Sequence, residues 1–442
     1  MSAAGPHARS ASHRPRVVVV GVGFAGYHCL RALERKLPAG AAEIVAVNPT
    51  DYMLYVPLLP EVAAGILEPR RIAVPIRVQL PRSRLVLGTA TGFDLEARTC
   101  TVVDVEGRPR TLDWDQLVIT SGTVTRLLSI PGVAEHAKGF KSIAEALYLR
   151  DHVLRQLELA EETDDLDERA VRTTFVVVGA GYTGTEVAAQ CQLFTRDALR
   201  SHPGLHGSEG RWVLLDLADR VLPGLNERLS EPALRVLRRR GIDVRLRTSV
   251  TEVTATCARL SDGTEIPTRT VVWCVGVRPD PLVNSLGLPT NQGRLVVDEA
   301  LSVPGHPEVY AAGDVAAVPD PARPGEITAM TAQHAQRQGR IVGANIAASL
   351  GQGDRRPYRY RDRGFLVDLG RWDAVADPFQ IPVSGPPAKV LTRAYHLVAL
   401  PSGRLRVATD WVNAALTGRQ LVHLGLVPEA GVTLGATDRL PS

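Results

Sequence analysis

Two glycine-rich hexads mark where chemistry is to be expected in this 442-residue chain. Gly21-Val22-Gly23-Phe24-Ala25-Gly26 follows the β-branched run Val17–Val20, and Gly179-Ala180-Gly181-Tyr182-Thr183-Gly184 follows Thr174–Val178. Each leads into a helical stretch, Tyr27 to about Leu37 and Thr185 to about Arg200, and then into a further apolar run, Glu43–Asn48 and Trp212–Asp216. In such a unit the first glycine makes the tight turn. The second lets the backbone approach a pyrophosphate, and the third lets helix and strand pack closely. The phosphates then meet the free N–H groups of a helix N-terminus. A lone hexad is a weak sign. Two in full strand–turn–helix–strand context predict two dinucleotide sites on one chain. The ribose acceptor belongs at the end of the next strand. In the second copy this is Asp216, whose charge binds a 2′-hydroxyl and repels a 2′-phosphate, so the expectation is NADH; Arg220 lies near enough in sequence to keep NADPH open. The first copy has Asn48 there, an uncharged acceptor, followed by Pro49.

The elements that position these turns define an α/β protein. At roughly 100 to 200 residues per domain the length implies two to four domains. Leu85–Val105 alternates in short strand-like pieces. The charged segment Glu161–Arg172 reads as a connection between domains. Val244–Leu260 and Thr270–Gly276 are strand-like, Val309–Ala316 is a buried strand ending in Gly-Asp, and Met330–Leu350 is helical. The last helical stretch is expected from about Asp410 to Leu424. The hydrophobic share is 45% and the charged share 22%, which excludes a disordered chain. A formal charge of +4 is too small to argue for nucleic acid. The basic excess sits at the ends, +3 in residues 1–16 and +5 in residues 353–428. Five scattered cysteines, with no C-x-x-C, leave no basis for a dithiol centre or a cysteine-based metal site, and no metal site is expected. They point to a reducing compartment. Residues 1–15 lack an apolar core and read as a disordered arm. No run approaches the roughly 18 to 20 apolar residues of a membrane span.

These hexads, with LVITSGT (Leu117–Thr123), TVVWCVGVRP (Thr270–Pro279) and VYAAGDV, resemble the two-dinucleotide-binding-domain flavoproteins. The stretches Tyr55–Arg77, Ile130–Leu154, Gly179–Gln190, Asp219–Leu225 and Thr331–Gly339, with a carboxy-terminal YHL…W…LTGRQLVHL, narrow this to the type II NADH:quinone oxidoreductases. The resemblance runs from about Arg16 to about Leu424. It implies two Rossmann-like domains: a discontinuous FAD domain (16–160 and 291–352), an inserted NAD(H) domain (161–290), and a carboxy-terminal α+β region (353–442) for membrane or dimer contact. It implies that Gly21, Gly23, Gly26, Asn48 and Asp314 hold FAD and that Gly179, Gly181, Gly184 and Asp216 hold NADH, with Gly122, Gly276 and Gly313 also among the cofactor-binding residues. Glu186 is implied at the nicotinamide–flavin contact and Gln333 at the quinone site, with Gln338 nearby on the same helix. Read without the resemblance, Glu186 is a first-turn acid favoured by the helix dipole and Gln333 a polar helix-face residue.

The activity so implied is hydride transfer from NADH to FAD, then electron delivery to a quinone. Two other readings stay open: a soluble NAD(P)H-dependent flavin reductase with a ferredoxin-like, small-molecule or oxygen acceptor, and a flavin-bound redox sensor without turnover. Near the carboxy terminus Trp411, Leu416, Leu421 and Leu424 can form a short apolar face beside Arg419, for a lipid surface or for packing against the protein's own domains or a second copy. The implied location is cytoplasmic, or peripheral on the inner face of the cell membrane.

Overall fold

The computed structural model describes residues 14–207, 210–225, 227–360 and 363–434. All but the last two residues of the expected arm lie outside them. The chain forms two compact units, one drawn from Met1–Met53, Pro75–Thr123 and Pro279–Arg361, the other from Leu54–Val74, Val124–Arg278 and Asp362–Ser442.

The first unit is built on an eight-stranded sheet in the order Ser302–Val303, His306–Ala311, Gln116–Ile119, Arg16–Val20, Glu43–Asn48, Ser83–Asp94, Thr99–Asp104, Pro109–Asp113. From His306–Ala311 to Ser83–Asp94 the pairing is parallel, and the remaining strands extend it antiparallel. Parallel strands covered on both faces read as unbroken apolar runs, and Val17, Val18 and Val19 are fully buried. Leu85–Val105, expected as short pieces, is one twelve-residue strand that returns as Thr99–Asp104. A register shift between Ala90 and Gly92 breaks its alternation, so the sequence pattern looks interrupted where the strand is not. Helix Phe24–Lys36 starts within the hexad, three residues before the expected Tyr27. Helix Ala332–Ser349 lies against it at glycines: a Cβ on Gly339 would run into the Ala25 carbonyl, and one on Gly343 would stand 2.6 Å from the Cys29 carbonyl oxygen.

The second unit holds a parallel five-stranded sheet in the order Lys138–Gly139, Thr270–Trp273, Thr174–Val178, Arg211–Asp216, Asp243–Leu246. Helix Tyr182–Leu199 again begins within its hexad. Residues 161–172 correct the sequence reading. They are the end of helix Ile143–Glu162 and a second helix, Leu166–Arg172, inside this unit. The Asp165 side chain accepts from the Asp167 and Glu168 amides, a local cap that charge density alone hides. A small antiparallel sheet (Leu366–Asp368, Ala374–Ala376, Val383–Ser384) and helices Pro386–Ala399 and Arg404–Thr417 form the carboxy-terminal α+β part. The last helix ends at Gly418, whose φ is +86°, so Leu421 and Leu424 are not on it.

A Cβ on Gly26 would collide with the Gly21 carbonyl, whereas one on Gly23 meets nothing within 4 Å. Gly26→Ala is therefore expected to lower unfolding stability by about 1–3 kcal/mol through overpacking. Gly23→Ala should stay within about 0.5 kcal/mol of the parent, both measured by guanidinium denaturation.

Candidate active site

The two glycine turns are built alike. Gly21 and Gly179 open them at φ +86° and +103°, donating their amides to Val47 and Leu215 at the end of the neighbouring strand. A Cβ on Gly21 would press on the Thr120 backbone, and one on Gly184 on the Gly179 carbonyl. The middle glycines, Gly23 and Gly181, face open space instead, as do Gly122 and Gly276 at the ends of the third strands. A backbone left bare on that side, at a helix N-terminus, is what a pyrophosphate requires. The residues present therefore fit a dinucleotide at each turn.

The strand-end side chains do more than sequence reasoning assigned them. Asn48 Oδ1 accepts from the Val22 amide at 2.8 Å, while its Nδ2 donates to the Thr50 carbonyl at 2.9 Å. In the second turn one Asp216 oxygen accepts from the Ala180 amide and the other from Ala218 N at 2.7 Å. Both thus brace the residue after the first glycine. That task needs an acceptor and no charge, so asparagine serves in the first copy as aspartate does in the second.

Gly313 and Asp314 lie on a single 3-10 turn after strand His306–Ala311. Gln338 reaches this turn: its Oε1 accepts from Gly313 N at 2.8 Å and its Nε2 donates to Thr328 Oγ1 at 3.0 Å. Arg294, buried, donates to the Thr328 carbonyl at 2.7 Å and lies within the field of the Asp314 carboxylate. Gln333 sits in the first turn of helix Ala332–Ser349, capped by Thr331, and its carbonyl accepts from Arg337 at 2.8 Å. Gln333, Gln338, Gly313 and Asp314 share the first unit; Glu186 belongs to the second.

Around Glu186 the second unit gathers charges that sequence reading missed. Glu186 Oε1 accepts from the Asp368 amide at 2.8 Å. Both Asp368 oxygens accept from Lys389 Nζ at 2.6 Å, with side chains 8% and 5% exposed. Glu61 accepts from Arg393 at 2.8 Å and from the Trp411 indole at 2.6 Å, and the Arg393 guanidinium lies 3.9 Å from the Trp411 ring centre. His396 Nδ1 meets the Tyr55 hydroxyl at 3.1 Å. Burial pushes Glu186 well above the usual carboxylate range, against the lowering by the Asp368 amide, and the charges of Asp368 and Glu61 act the same way as burial. Burial raises Glu61 to about 7 in spite of Arg393. Burial would raise Asp368 too, but Lys389 and Arg393 outweigh it and hold that carboxyl low. Burial drops His396 to about 4, keeping it neutral. The cluster thus holds an ionised Asp368 beside acids that retain protons near neutrality. Glu61, a lone acid inside LLPEVAA, was the available sequence signal; Lys389, Thr392 and His396, recurring along one helix face, were another.

The expected carboxy-terminal face is also rearranged. Trp411 is tied to Glu61, and Arg419 points inward, donating to the Ala64 carbonyl at 3.0 Å and pairing with Asp197 at 3.1 Å. Helix Pro386–Ala399 is inverted relative to a surface helix in water. It buries Lys389, Thr392 and His396 and exposes Val390 (62%) and Val398 (74%). On the next helix Leu405 and Leu416 are each 81% exposed.

With a nucleotide cradle in each unit, the chain has the architecture of a pyridine-nucleotide-dependent flavoenzyme. Residues 15–339 match the pyridine nucleotide-disulphide oxidoreductase family, to which the chain belongs. Within it the chain is a member of the type II NADH:quinone oxidoreductases. It is 33% identical to type II NADH:quinone oxidoreductase Ndh of Mycobacterium tuberculosis, over 92% of this chain and 89% of that one. It is 31% identical to demethylphylloquinone reductase NdbB of Synechocystis, over 91% and 97%. The structure of NDH2 from Plasmodium falciparum in complex with NADH shares the fold, with a TM-score of 0.84 at 18% identity, covering 93% of this chain and all of that one. No redox disulfide accompanies the fold among the described residues: the five cysteines are free, and burial pushes Cys100 and Cys191 up to about 12.

Lys389→Met would strand the buried Asp368 charge and is expected to cost about 3–5 kcal/mol by chemical denaturation, with Asp368→Asn in the same chain recovering part of it. Glu61 has a further pH signature. Its folded pKa lies above the unfolded value, so its contribution is full below about pH 4.5 and is lost as pH rises through about 7. Thermal melts between pH 5 and 8 should decline less steeply in Glu61→Gln. Glu186, raised by the same burial, leaves a residual slope of the same sign.

Proposed function

We propose that the protein oxidises NADH and reduces a quinone, using bound FAD, and that it does so while lying on a membrane. The observation that carries the reaction is the pair of matching cradles, each open at its middle glycine, in a chain of this family. FAD supplies acceptance of hydride from NADH and delivery of its electrons to the quinone. The protein's part is binding, orientation and proton supply. In the first unit Gly23 and Gly122 offer a bare backbone to FAD, on a turn that Gly21 and Gly26 shape and Asn48 braces. Asp314 offers a carboxylate to a polyol chain, which donates hydroxyl hydrogen bonds to it. We read Gln338 as the residue that positions Gly313 and Asp314, since both ends of its amide are engaged there, and Gln333, in the first turn of the same helix, as a quinone-site residue. In the second unit Gly179, Gly181, Gly184 and Gly276 serve NADH, and Asp216 carries a negative charge that disfavours a 2′-phosphate. Quinone reduction consumes protons. Glu186, held protonated beside an Asp368 that Lys389 keeps ionised, is suited to donate one from its carboxyl.

The inverted helix supports a lipid surface rather than a water-soluble acceptor. Val390, Val398, Leu405 and Leu416 stand exposed while the polar face is buried, and residues 353–428 carry the basic excess that suits anionic headgroups. No helix among the described residues is long and apolar enough to cross a membrane, so attachment at the inner face of the cell membrane would be peripheral.

Purified protein is expected to contain flavin that NADH bleaches and a menaquinone analogue restores, by anaerobic stopped-flow. Glu186→Gln should slow the second half-reaction at least tenfold and spare the first; equal slowing of both would remove the proton role. On flotation with phosphatidylglycerol vesicles the parent should rise with lipid. Val398→Glu/Leu416→Glu should stay below while still reducing a water-soluble quinone. A parent that does not float, but whose dimer the same substitutions break, would reassign this face to a second copy.

A further inference from the structure

Outside both cradles and the acid cluster, the end of helix Ile143–Glu162 meets the turn that follows helix Tyr182–Leu199. Glu158 and Glu161, one helical turn apart, project from the first. His202 opens the short 3-10 turn Pro203–Leu205. All lie in the second unit.

We infer that Glu158, Glu161 and His202 bind one divalent transition-metal ion of the zinc type. The imidazole is fixed by the end of the preceding helix: Nδ1 stands 2.9 Å from the Ala198 carbonyl oxygen. A carbonyl only accepts, so Nδ1 donates its proton there and Nε2 is the ring nitrogen left facing the two glutamates. That Nε2 is buried without a hydrogen-bond partner, in a residue 5% exposed. It looks at Glu158 Oε1 from 3.4 Å. A cation seated between this buried, unpartnered nitrogen and the carboxylate would be coordinated by both.

The ligand atoms offered by the three residues lie within 4.8 Å of one another. Zinc holds imidazole nitrogen at about 2.0–2.1 Å and carboxylate oxygen at about 2.0–2.2 Å in a tetrahedron, which a modest contraction would reach. Glu158, with 68% of its side chain exposed, is free to make that movement. The outer contacts are of the kind that orient metal ligands. The Nδ1–H is held by a backbone carbonyl, and Glu161 Oε1 accepts from Gly204 N at 2.7 Å, leaving its other oxygen for the ion. One imidazole and two carboxylates, without a thiolate, favour zinc over soft ions, while the nitrogen ligand disfavours calcium and magnesium. Two carboxylates and a neutral imidazole cancel a 2+ charge, and the fourth position is left to water. The ion would staple the end of helix Ile143–Glu162 to the helix that begins at the second glycine turn. Ligands spaced at 158, 161 and 202 match none of the short metal motifs, so the sequence did not announce them.

The site does not depend on the redox reading and is tested apart from activity. Full-length, flavin-loaded protein is stripped with chelator and titrated with zinc chloride against a chromophoric indicator, and in parallel with cobalt(II). The expected results are one zinc per chain, visible cobalt bands of a four-coordinate site, and a rise in melting temperature on zinc addition. Glu158→Gln, at an exposed position that leaves folding intact, should weaken uptake at least tenfold and abolish the rise in melting temperature; Glu161→Gln and His202→Gln should act alike. Uptake unchanged in Glu158→Gln would overturn the assignment. So would a parent that binds no zinc.

Discussion

A backbone carbonyl stands where a side chain would otherwise begin, and both nucleotide cradles depend on that exclusion. Any Cβ at Gly26 or Gly184 would drive into the carbonyl of the turn's first glycine. The same closeness brings each helix N-terminus against its strand, with the middle glycine's open side facing outward. Asn48 and Asp216 then hold the next amide from the neighbouring strand. The helix opened by the first turn packs in turn on Ala332–Ser349, at Gly339 and Gly343. One steric rule, repeated in two units, thus fixes strand, turn and helix together.

The second unit carries a different expense. Burying Glu61, Asp368 and Lys389, with Glu186 and Arg393 half-buried beside them, takes charge out of water, which is tolerable only with close pairing. The structure supplies it through the two 2.6 Å contacts of Lys389 and through Arg393 and Trp411 on Glu61. Cations are outnumbered by carboxyls here, so protons make up the balance. The raised positions of Glu61 and Glu186 follow from that shortage together with burial.

How much was legible in the sequence follows the same division. Local steric demands leave local marks. The hexads, the strands Val17–Val20 and Thr174–Val178, and helix Ala332–Ser349 could be read because their causes lie within a few residues. Distant pairing leaves no mark of that kind. Glu61 and Arg393, or Asp368 and Glu186, are brought together only by the folded chain. The helix at Leu166–Arg172 was hidden by its charge, although its Asp165 cap was in view. For Trp411 and Arg419 the sequence left a lipid surface and packing on the protein's own domains both open; in the fold their polar atoms are spent on Glu61, Ala64 and Asp197.

The tie between Glu61 and the pair Arg393 and Trp411 has a bearing on how such enzymes can be recombined. The acid lies near the start of the chain, and its partners lie on the last two helices. A chimera whose borrowed tail lacks Lys389 and Arg393 would leave Asp368 and Glu61 without their cations, and a chain cut before Pro386 would leave both acids unbalanced. Exchange between relatives has to carry the early segment and the late one as a single inheritance.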